Sequence, residues 1–325
     1  MSSKQIGKYT VSFKLGQGAM GVVYKAIDTE TKQEVAIKIL SEELIHNEEA
    51  IGRFKREIRQ ALQLEHPNIV RSLDHGIFQD RHYYVMEFVS GCTIKELLKR
   101  QGTFKEYQAV AIVLQVIQGL EYAENYGIVH SDIKPENIMF SSNQTVKISD
   151  MGLAKSQDSA TKVTVKGTVL GTPQYMAPEQ ATGKEKIDHR ADIYSLGASF
   201  YHMLAGNPPF MGKNPIQVLS KVLSSEPPSI RSIRPDISEK TEGILKKMMA
   251  KNLELRYQHC SEVKRDLEAL KAILKPCELP EVILAEELAS VANSAEPSAG
   301  PITKKIQEKS PPLNSAPFAE VPSTG

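Results

Sequence analysis

The stretch with the greatest chemical potential runs from His130 to Asn137 and reads His-Ser-Asp-Ile-Lys-Pro-Glu-Asn. It places a carboxylate (Asp132), an ammonium (Lys134) and a carboxamide (Asn137) within six residues. These groups suit a reaction in which a hydroxyl attacks a phosphoryl group. Asp132 would accept the hydroxyl proton, Lys134 would neutralise charge on the transferred phosphate, and Asn137 would bind a hard metal ion through oxygen. The same residue types are ordinary in loops, so a solvated polar loop is the alternative interpretation.

Length and composition indicate a globular chain, and its charge does not indicate binding to nucleic acid or to a membrane. The 325 residues suffice for one large two-lobed domain or two ordinary ones, and 41% are hydrophobic and 24% charged. The net charge of +1 gives no basis for binding nucleic acid. Cys92, Cys260 and Cys277 have neither metal-ligand spacing nor the density of a disulfide framework. Because there is also no signal peptide and no apolar run of about 18 residues, we expect a cytoplasmic protein without a membrane span.

A glycine-rich segment lies near the N-terminus, where residues 9–40 alternate in the manner of strands. The segment reads Gly16-x-Gly18-x-x-Gly21-x-Val23. This pattern is weak alone, because it also marks dinucleotide-binding folds in which the last glycine opens a helix. Strand-like residues follow Gly21 instead, which favours a hairpin whose backbone amides cover a triphosphate.

Lys38 lies on a predicted strand, Glu34 to Leu40, among apolar residues. An unpaired ammonium buried there would be costly, although strand lysines commonly extend to solvent. Glu57, on a predicted helix over residues 47–64, offers the counter-charge that a functional interpretation requires. Together Lys38 and Glu57 would hold the α- and β-phosphates of a nucleotide.

Asp150 begins the sequence Asp-Met-Gly directly after a predicted strand over residues 145–149. An Asp-x-Gly sequence is usually only a turn. After a strand and downstream of Asn137, Asp150 becomes a candidate second ligand of magnesium. Residues 150–179, rich in Ser and Thr and ending in Ala177-Pro178-Glu179, are predicted to form a movable functional loop.

The order of elements predicts an α+β protein with two lobes. Strands dominate up to residue 88, with the last two near 69–73 and 83–88, and helical spacing dominates from Thr93 onward. A cleft between a sheet lobe and a helical lobe is a usual place for a ligand. The last fifty residues contain eight of the eighteen prolines and much Ala, Ser and Glu. We therefore expect residues 275–325 to form a disordered tail.

From about Tyr9 to Leu274 the chain resembles a eukaryotic-type (Hanks) serine/threonine protein kinase. The resemblance implies the bilobal protein kinase fold, with an N-terminal lobe at 9–87, a hinge at 87–91 and a C-terminal lobe at 92–274, after a tail of residues 1–8. It implies transfer of the γ-phosphoryl of ATP to Ser or Thr hydroxyls of protein substrates, including the chain itself, with Mg²⁺ or alternatively Mn²⁺. Residues 171–180, Gly-Thr-Pro-Gln-Tyr-Met-Ala-Pro-Glu-Gln, are similar to those of the bacterial members. The sequence does not indicate the substrate or the oligomeric state.

The resemblance also implies a role for individual residues. Asp132 is similar to the catalytic base, and Lys134, Lys38 and Glu57 to its catalytic partners. Asn137 and Asp150 are similar to the metal ligands. The residues similar to the nucleotide-binding positions are Leu15, Gly16, Gln17, Gly18, Ala19, Met20, Gly21, Val22, Val23, Ala36, Lys38, Met86, Glu87 and Val89. The pair Glu179 and Arg256, and the central-helix residues Asp192 and Gly197, also resemble family motifs.

The chain departs from the family pattern at Ser131, where most members have an arginine that grips a phosphorylated activation loop. A serine cannot do this, so we predict that activity depends only weakly on phosphate at Thr161, Thr164 or Thr168. Three further departures are expected to be packing variants: Met151, Tyr194 and Tyr257. The rival interpretations are a pseudokinase scaffold, which usually lacks a residue like Lys38, Asp132 or Asp150, and a nicotinamide-dependent oxidoreductase, which lacks a βαβ context here.

Overall fold

The computed structural model of the chain describes residues 5–18, 21–151, 172–183, 187–285 and 287–288. The side chains of Arg53 and Glu57 lie outside this description. The described residues form one lobe built mainly from an antiparallel sheet and one built mainly from helices. The predicted α+β, two-lobed fold class is therefore confirmed.

The sheet of the N-terminal lobe has six strands in the order β1-β2-β3-β4-β6-β5. The strands are β1 Gln5–Ile6, β2 Tyr9–Gly18, β3 Gly21–Asp28, β4 Glu34–Leu40, β5 Ser72–Phe78 and β6 Arg81–Glu87. All residues of β4 after Glu34 are buried, so both faces of this strand are covered. By strand alternation, Val35 and Ile37 pack in one apolar cluster, whereas Ala36 and Leu40 join the main core. Lys38 falls on the same face as Ala36 and Leu40.

Helix α1, Glu48–Ala61, packs against that main-core face. Asn47 caps the helix, because its side chain accepts a hydrogen bond from the backbone N–H of Ala50 at 2.9 Å. Phe54 and Ile58 are buried and lie four residues apart, on one face of the helix. The helix that the apolar spacing predicts over 47–64 is present, but it ends at Ala61.

A second, smaller sheet lies at the junction of the lobes. Its strands are β7 Gly91–Thr93, β8 Ile138–Ser141 and β9 Val146–Ile148, in that order. Ile69 pairs with Ile148, and the N–H of Val70 donates to the carbonyl of Ile148 at 2.9 Å. Strand β5 therefore begins at Ser72 rather than near residue 69, because the residues before it bond to β9 instead.

The C-terminal lobe is built around two buried helices, α3 and α5. The helices of this lobe are α2 Ile94–Gln101, α3 Glu106–Asn125, α4 Pro178–Ala181, α5 Arg190–Ala205, α6 Pro215–Ser224, α7 Ile230–Ile233, α8 Glu239–Met248 and α9 Cys260–Ile273. Every residue of α5 from Ala191 to Tyr201 is buried. A Cβ at Gly197 would lie 2.9 Å from the side chain of Met248, so this glycine allows α5 and α8 to approach closely. Among the described residues, no helix is both long and apolar enough to cross a membrane.

Residues 275–285 pack against the C-terminal lobe, although the sequence predicts disorder from residue 275. Leu279, Val282 and Ile283 are half-buried against the main core, which also receives Leu288. The Gln108 side chain donates to the carbonyl of Glu278 at 2.8 Å. The prediction is wrong for these residues, because spaced apolar side chains outweigh the Pro- and Glu-rich composition; residues 289–325 lie outside the described residues. A groove of about 1010 Å³ separates the segment from α3, and none of the predicted site residues lines it.

Candidate active site

The loop that contains Asp132 is fixed by a buried carboxylate on α5. The backbone N–H groups of His130 and Ser131 donate to the two carboxylate oxygens of Asp192, both at 2.7 Å. Ser131 has a φ of 64°, a conformation that non-glycine residues seldom adopt. Asp192 is 2% exposed and lies in the first turn of α5, so the position of the loop depends on the helix that forms the centre of the lobe.

The ring of His130 fixes the same loop from the other side. His130 is fully buried, and its Nε2–H donates to the carbonyl of Ser149 at 2.9 Å. Its Nδ1 accepts the backbone N–H of Asp132 at 3.2 Å. The two bonds together define the neutral tautomer with the proton on Nε2. They also link the Asp132 loop directly to the strand end that carries Asp150.

Asp132, Lys134 and Asn137 converge as the sequence predicts. The Nζ of Lys134 lies 2.6 Å from Oδ2 of Asp132. The amide nitrogen of Asn137 donates to the same Oδ2 at 3.1 Å and to the backbone carbonyl of Asp132 at 2.8 Å. The Asp132 side chain remains 32% exposed, so a hydroxyl can reach it from solvent. Asp132 thus contacts both Lys134 and Asn137, which a loop of unconnected polar side chains would not show.

Asp150 meets Lys38 across the two lobes. The distance from Lys38 Nζ to Asp150 Oδ1 is 2.6 Å, and the Lys38 side chain is 9% exposed. Burial would raise the pKa of Asp150, but the charge and hydrogen bond of Lys38 outweigh it and hold the pKa below its usual range. Asp150 has a φ of 56°, which turns the chain directly after β9. Lys38 therefore does not extend to solvent, the alternative that its strand position left open.

The predicted pair of Lys38 and Glu57 is not described. Glu57 lies on α1, beside the buried Ile58, but its side chain lies outside the described residues. Ala19 and Met20 of the glycine-rich segment also lie outside them, as do Thr161, Thr164 and Thr168. The roles assigned to these residues stay predictions.

The glycine-rich segment is a hairpin, as predicted, with Gly18 paired to Gly21 and Gly16 paired to Val23. The glycines differ in their surroundings. A Cβ at Gly16 or Gly18 would meet no atom within 4 Å, whereas a Cβ at Gly21 would lie 1.9 Å from the carbonyl oxygen of Ile39. Gly21 therefore allows β3 to approach β4, and only Gly16 and Gly18 leave open space for a ligand.

Residues predicted to contact the nucleotide base lie around the junction of the lobes. Ala36 on β4 pairs with Met86 on β6, and both are buried. Val89 is buried in the segment that follows β6, while Leu15 and Val23 on the glycine hairpin are half-buried against the main core. Gln17 and Val22 pair across the same hairpin. These residues combine apolar side chains with the backbone of the segment that joins the lobes. Apolar walls with a few backbone polar groups are typical of a site for a flat aromatic base.

The structure shows hydrogen bonds that fix the start of the hinge, and no sequence pattern predicted them. Glu87 accepts hydrogen bonds from Lys147 Nζ and from the backbone N–H of Arg71, both at 2.8 Å. Lys147 stands between the buried Val146 and Ile148, so alternation indicates that it points away from them. No local signal names Glu87 as its partner, because the two residues are 60 positions apart.

One long-range pair implied by the resemblance is confirmed. Arg256 Nη1 and Nη2 donate to the two oxygens of Glu179 at 2.7 and 3.1 Å. The two side chains are 0% and 4% exposed, so this is a buried, bidentate ion pair. This ion pair connects the short helix α4, which lies close to the Asp132 loop, to the segment before α9. Gln180 on α4 also donates to the backbone carbonyl of Ser131 at 2.9 Å.

Comparison with known proteins gives a consistent assignment. The family model described as Protein kinase domain matches residues 9–266. A Clostridium perfringens protein named as a probable serine/threonine-protein kinase is 38% identical over 272 residues, which cover 83% of this chain and 39% of that protein. Serine/threonine-protein kinase PknB of Mycobacterium leprae is 34% identical over 308 residues, which cover 93% of this chain and 49% of that protein. The chain thus spans less than half the length of these two curated relatives.

The solved structures agree. The crystal structure of the Mycobacterium tuberculosis PknI kinase domain has a TM-score of 0.67 with this chain at 28% identity, and the match covers 84% of this chain and 99% of that one. These findings confirm the resemblance drawn from the motifs, including the likeness to bacterial members and the bilobal kinase fold. The chain therefore belongs to the protein kinase family.

Proposed function

We propose that the chain is an active serine/threonine protein kinase that transfers the γ-phosphoryl of ATP to hydroxyls of protein substrates and of itself. The carrying observation is that Lys134 and Asn137 both contact the carboxylate of Asp132, while Lys38 and Asp150 meet at 2.6 Å. Phosphoryl transfer depends mainly on positioning and electrostatic stabilisation, and these five side chains offer both. The three buried or half-buried cysteines, all free, support a reducing cytoplasmic location.

Asp132 is the proposed general base. Its carboxylate is oriented by Lys134 and Asn137 and is still exposed enough to accept the proton of a substrate hydroxyl. Lys134, 2.6 Å away, would offset the negative charge that develops on the transferred phosphoryl group. His130 and Asp192 hold the loop in place through hydrogen bonds to its backbone.

Asn137 and Asp150 are the proposed metal ligands. A carboxylate and a carboxamide are hard oxygen donors, the type that Mg²⁺ and Mn²⁺ prefer. The low pKa of Asp150 keeps its carboxylate ionised at neutral pH, as metal binding requires. A bound divalent ion would supply positive charge against the phosphates of the nucleotide.

The nucleotide is proposed to bind between the lobes. Lys38 would hold the α- and β-phosphates with Glu57 as its helix partner, and the hairpin amides around Gly16 to Gly18 would cover the phosphate chain. Ala36 and Met86 would contact the base, together with the other apolar residues predicted for this site. The backbone of the hinge, Glu87 to Val89, would provide its hydrogen bonds.

The test is incubation of the purified chain with γ-labelled ATP, Mg²⁺ and a generic protein substrate. We expect label on both the substrate and the chain. Asp132→Ala should lower turnover by roughly 10²- to 10⁴-fold, while nucleotide binding persists. Nucleotide binding without any transfer by the wild type would indicate the rival, a pseudokinase scaffold. Hydride transfer to or from a nicotinamide would indicate an oxidoreductase.

A further inference from the structure

Three helix ends of the C-terminal lobe bring together two histidines and a glutamate on the surface. Glu124 lies in the last turn of α3, His189 directly precedes α5, and His259 directly precedes α9. The Oε1 of Glu124 lies 2.7 Å from Nδ1 of His259 and 3.3 Å from Nε2 of His189. These three atoms all lie within 4.8 Å of one another. We propose that Glu124, His189 and His259 bind one zinc ion.

The two separations that involve Glu124 suit zinc. Tetrahedral zinc with bonds of about 2.0–2.2 Å holds neighbouring ligand atoms roughly 3.3 Å apart. The contact from Glu124 to His189 already has this length, and the contact from Glu124 to His259 must open by about 0.6 Å. His259 is 62% exposed, so its ring can move without disturbing the core. Two imidazoles and one carboxylate leave a fourth position for water, and imidazole ligands favour zinc over Mg²⁺.

The carboxylate is oriented by the protein backbone. The other oxygen of Glu124, Oε2, accepts the backbone N–H of Cys260 at 3.0 Å, which directs Oε1 toward the imidazoles. The rings of His189 and His259 are nearly parallel, with an angle of 10° between them and 5.7 Å between their centroids. Such support from backbone groups orients the ligands of metal sites in general.

The positive charge of Arg190, which follows His189, is offset by carboxylates. Its guanidinium is paired with Asp188 at 2.8 Å and lies 3.7 Å from Glu254. Glu262 lies on the first turn of α9 and adds negative charge near His259. Zinc must displace two hydrogen bonds, the one from His189 Nε2–H to the carbonyl of Gln258 at 2.6 Å and the one between Glu124 Oε1 and His259 Nδ1 at 2.7 Å. Zinc binds the unprotonated nitrogen of a neutral imidazole, so each ring must present that nitrogen to the metal.

A zinc ion at this position would connect the end of α3 to the beginnings of α5 and α9. Helix α5 carries Asp192, which fixes the loop of the active site. The ion would thus stabilise the C-terminal lobe at a distance from the bonds that change in catalysis. Without zinc, Glu124 shares a hydrogen bond with His259, and His189 donates to the carbonyl of Gln258 instead. The experiment must separate this state from the zinc-bound one.

The experiment uses the full chain without a histidine tag, after treatment with a chelator. Zinc is titrated in millimolar Mg²⁺, so that the metal ligands of the nucleotide site do not compete for zinc. We expect one zinc per chain after gel filtration, a higher melting temperature, and with Co²⁺ the visible absorption of tetrahedral coordination. His259→Ala should fold normally, because the side chain is mostly exposed, and should lose at least about tenfold in zinc affinity. The control is His75→Ala, an exposed histidine of the N-terminal lobe, which should bind zinc like the wild type.

Glu124→Gln and His189→Asn test the other two ligands and should also lose the bound zinc. The proposal is overturned if the wild type retains less than one zinc per chain. It is equally overturned if His259→Ala and Glu124→Gln bind zinc as tightly as the wild type. A rise in melting temperature that persists in these variants would place the metal elsewhere and would count against the site.

Discussion

Lys38 and Asp150 form an ion pair of 2.6 Å between the N-terminal sheet and the strand end beside the Asp132 loop. The ammonium is almost fully buried, which strengthens the attraction relative to a surface pair. Nucleotide phosphates are negative and would pair with Lys38, whereas a metal ion is positive and would bind Asp150. We infer that the ion pair keeps both groups charged and close to the site until the nucleotide binds.

Replacing Lys38 tests this relationship. Lys38→Met should keep the fold, because the long apolar side chain fills the same space among Ala36 and Leu40. It should lower kcat/KM for ATP by at least roughly 10²-fold, since the phosphates lose their buried cation. The measurement is steady-state phosphorylation together with thermal unfolding. Lys55→Met, at an exposed position on α1, is the matched control and should retain activity; full activity of Lys38→Met would contradict the assignment.

The glycine hairpin predicts different outcomes for two similar substitutions. Gly21→Ala places a methyl group against the carbonyl of Ile39, so we expect a loss of about 1–3 kcal/mol or more in the free energy of unfolding. Gly18→Ala has open space and should change this free energy by less than about 0.5 kcal/mol. If the hairpin covers phosphates, Gly18→Ala should instead raise KM for ATP. Denaturant unfolding and kinetics on both variants make the comparison, and equal destabilisation by the two would exclude the packing argument for Gly21.

Much of this organisation could be predicted from local patterns. The chemistry of Asp132, Lys134 and Asn137 is concentrated within six residues, and the strand carrying Lys38 has a clear apolar pattern. Helix α5 is buried along most of its length and helix α3 over its central residues, and apolar residues dominate both buried stretches. Where residue type, spacing and burial agree, the sequence predicts the structure well.

Other features depend on contacts between residues that are distant along the chain. Asp192 holds the Asp132 loop partly through the backbone of His130, 62 residues before it. No periodicity in the sequence identifies the backbone groups that donate to Asp192. Gly21 belongs to a phosphate-binding motif by pattern, yet the structure shows a strand-packing role that only the partner strand reveals. The segment after residue 275 has the composition of a disordered tail, but a few spaced apolar side chains suffice to dock it once the core exists.

Ser131 leads to a prediction about regulation. Its backbone is held by Asp192 and Gln180, and its short side chain cannot form the charge-assisted bonds that an arginine makes to a loop phosphate. Replacing the activation-loop threonines Thr161, Thr164 and Thr168 together by Ala should therefore keep activity within about threefold. The same three substitutions in a Ser131→Arg variant provide the contrast. There they should lower activity more than they do in the wild type. Loss of activity in the triple variant alone, with the fold intact, would refute the prediction.

Lys251 makes stability depend on pH. Its Nζ donates to the carbonyl of Val222 at 2.6 Å and to the hydroxyl of Tyr194 at 3.1 Å, and lies 4.2 Å from the ring centroid of Phe210. Burial lowers the pKa of Lys251 from 10.5 to about 8. Between these two values the unfolded chain binds more protons than the folded chain, so the free energy of unfolding rises with pH across this window.

Lys251→Met should remove this contribution. Between pH 8 and 10.5, the free energy of unfolding of the wild type should rise by about 1–2 kcal/mol relative to that of the variant. This figure allows for the solvent screening of a half-buried side chain. Urea unfolding at several pH values measures the difference. Lys240→Met, an exposed position on α8, is the control and should follow the wild type throughout. A difference that is constant with pH would show that Lys251 is not a titrating group in this range.

The docked segment after α9 should belong to the folded unit, although the family match ends at residue 266. Leu279, Val282 and Ile283 bury apolar surface against the main core, and Glu281 pairs with Arg100 on α2 at 2.9 Å. A chain ending at residue 274 should therefore melt roughly 4–8 °C below a chain ending at residue 288, because it loses about 2 kcal/mol of apolar burial. The charge reversal Glu281→Lys, which leaves the apolar contacts, should lower the melting temperature only slightly, since the ion pair is exposed. Equal melting temperatures for the two truncated chains would mean that the segment contributes no stability, whereas a large effect of Glu281→Lys would assign the docking to charge rather than to apolar packing.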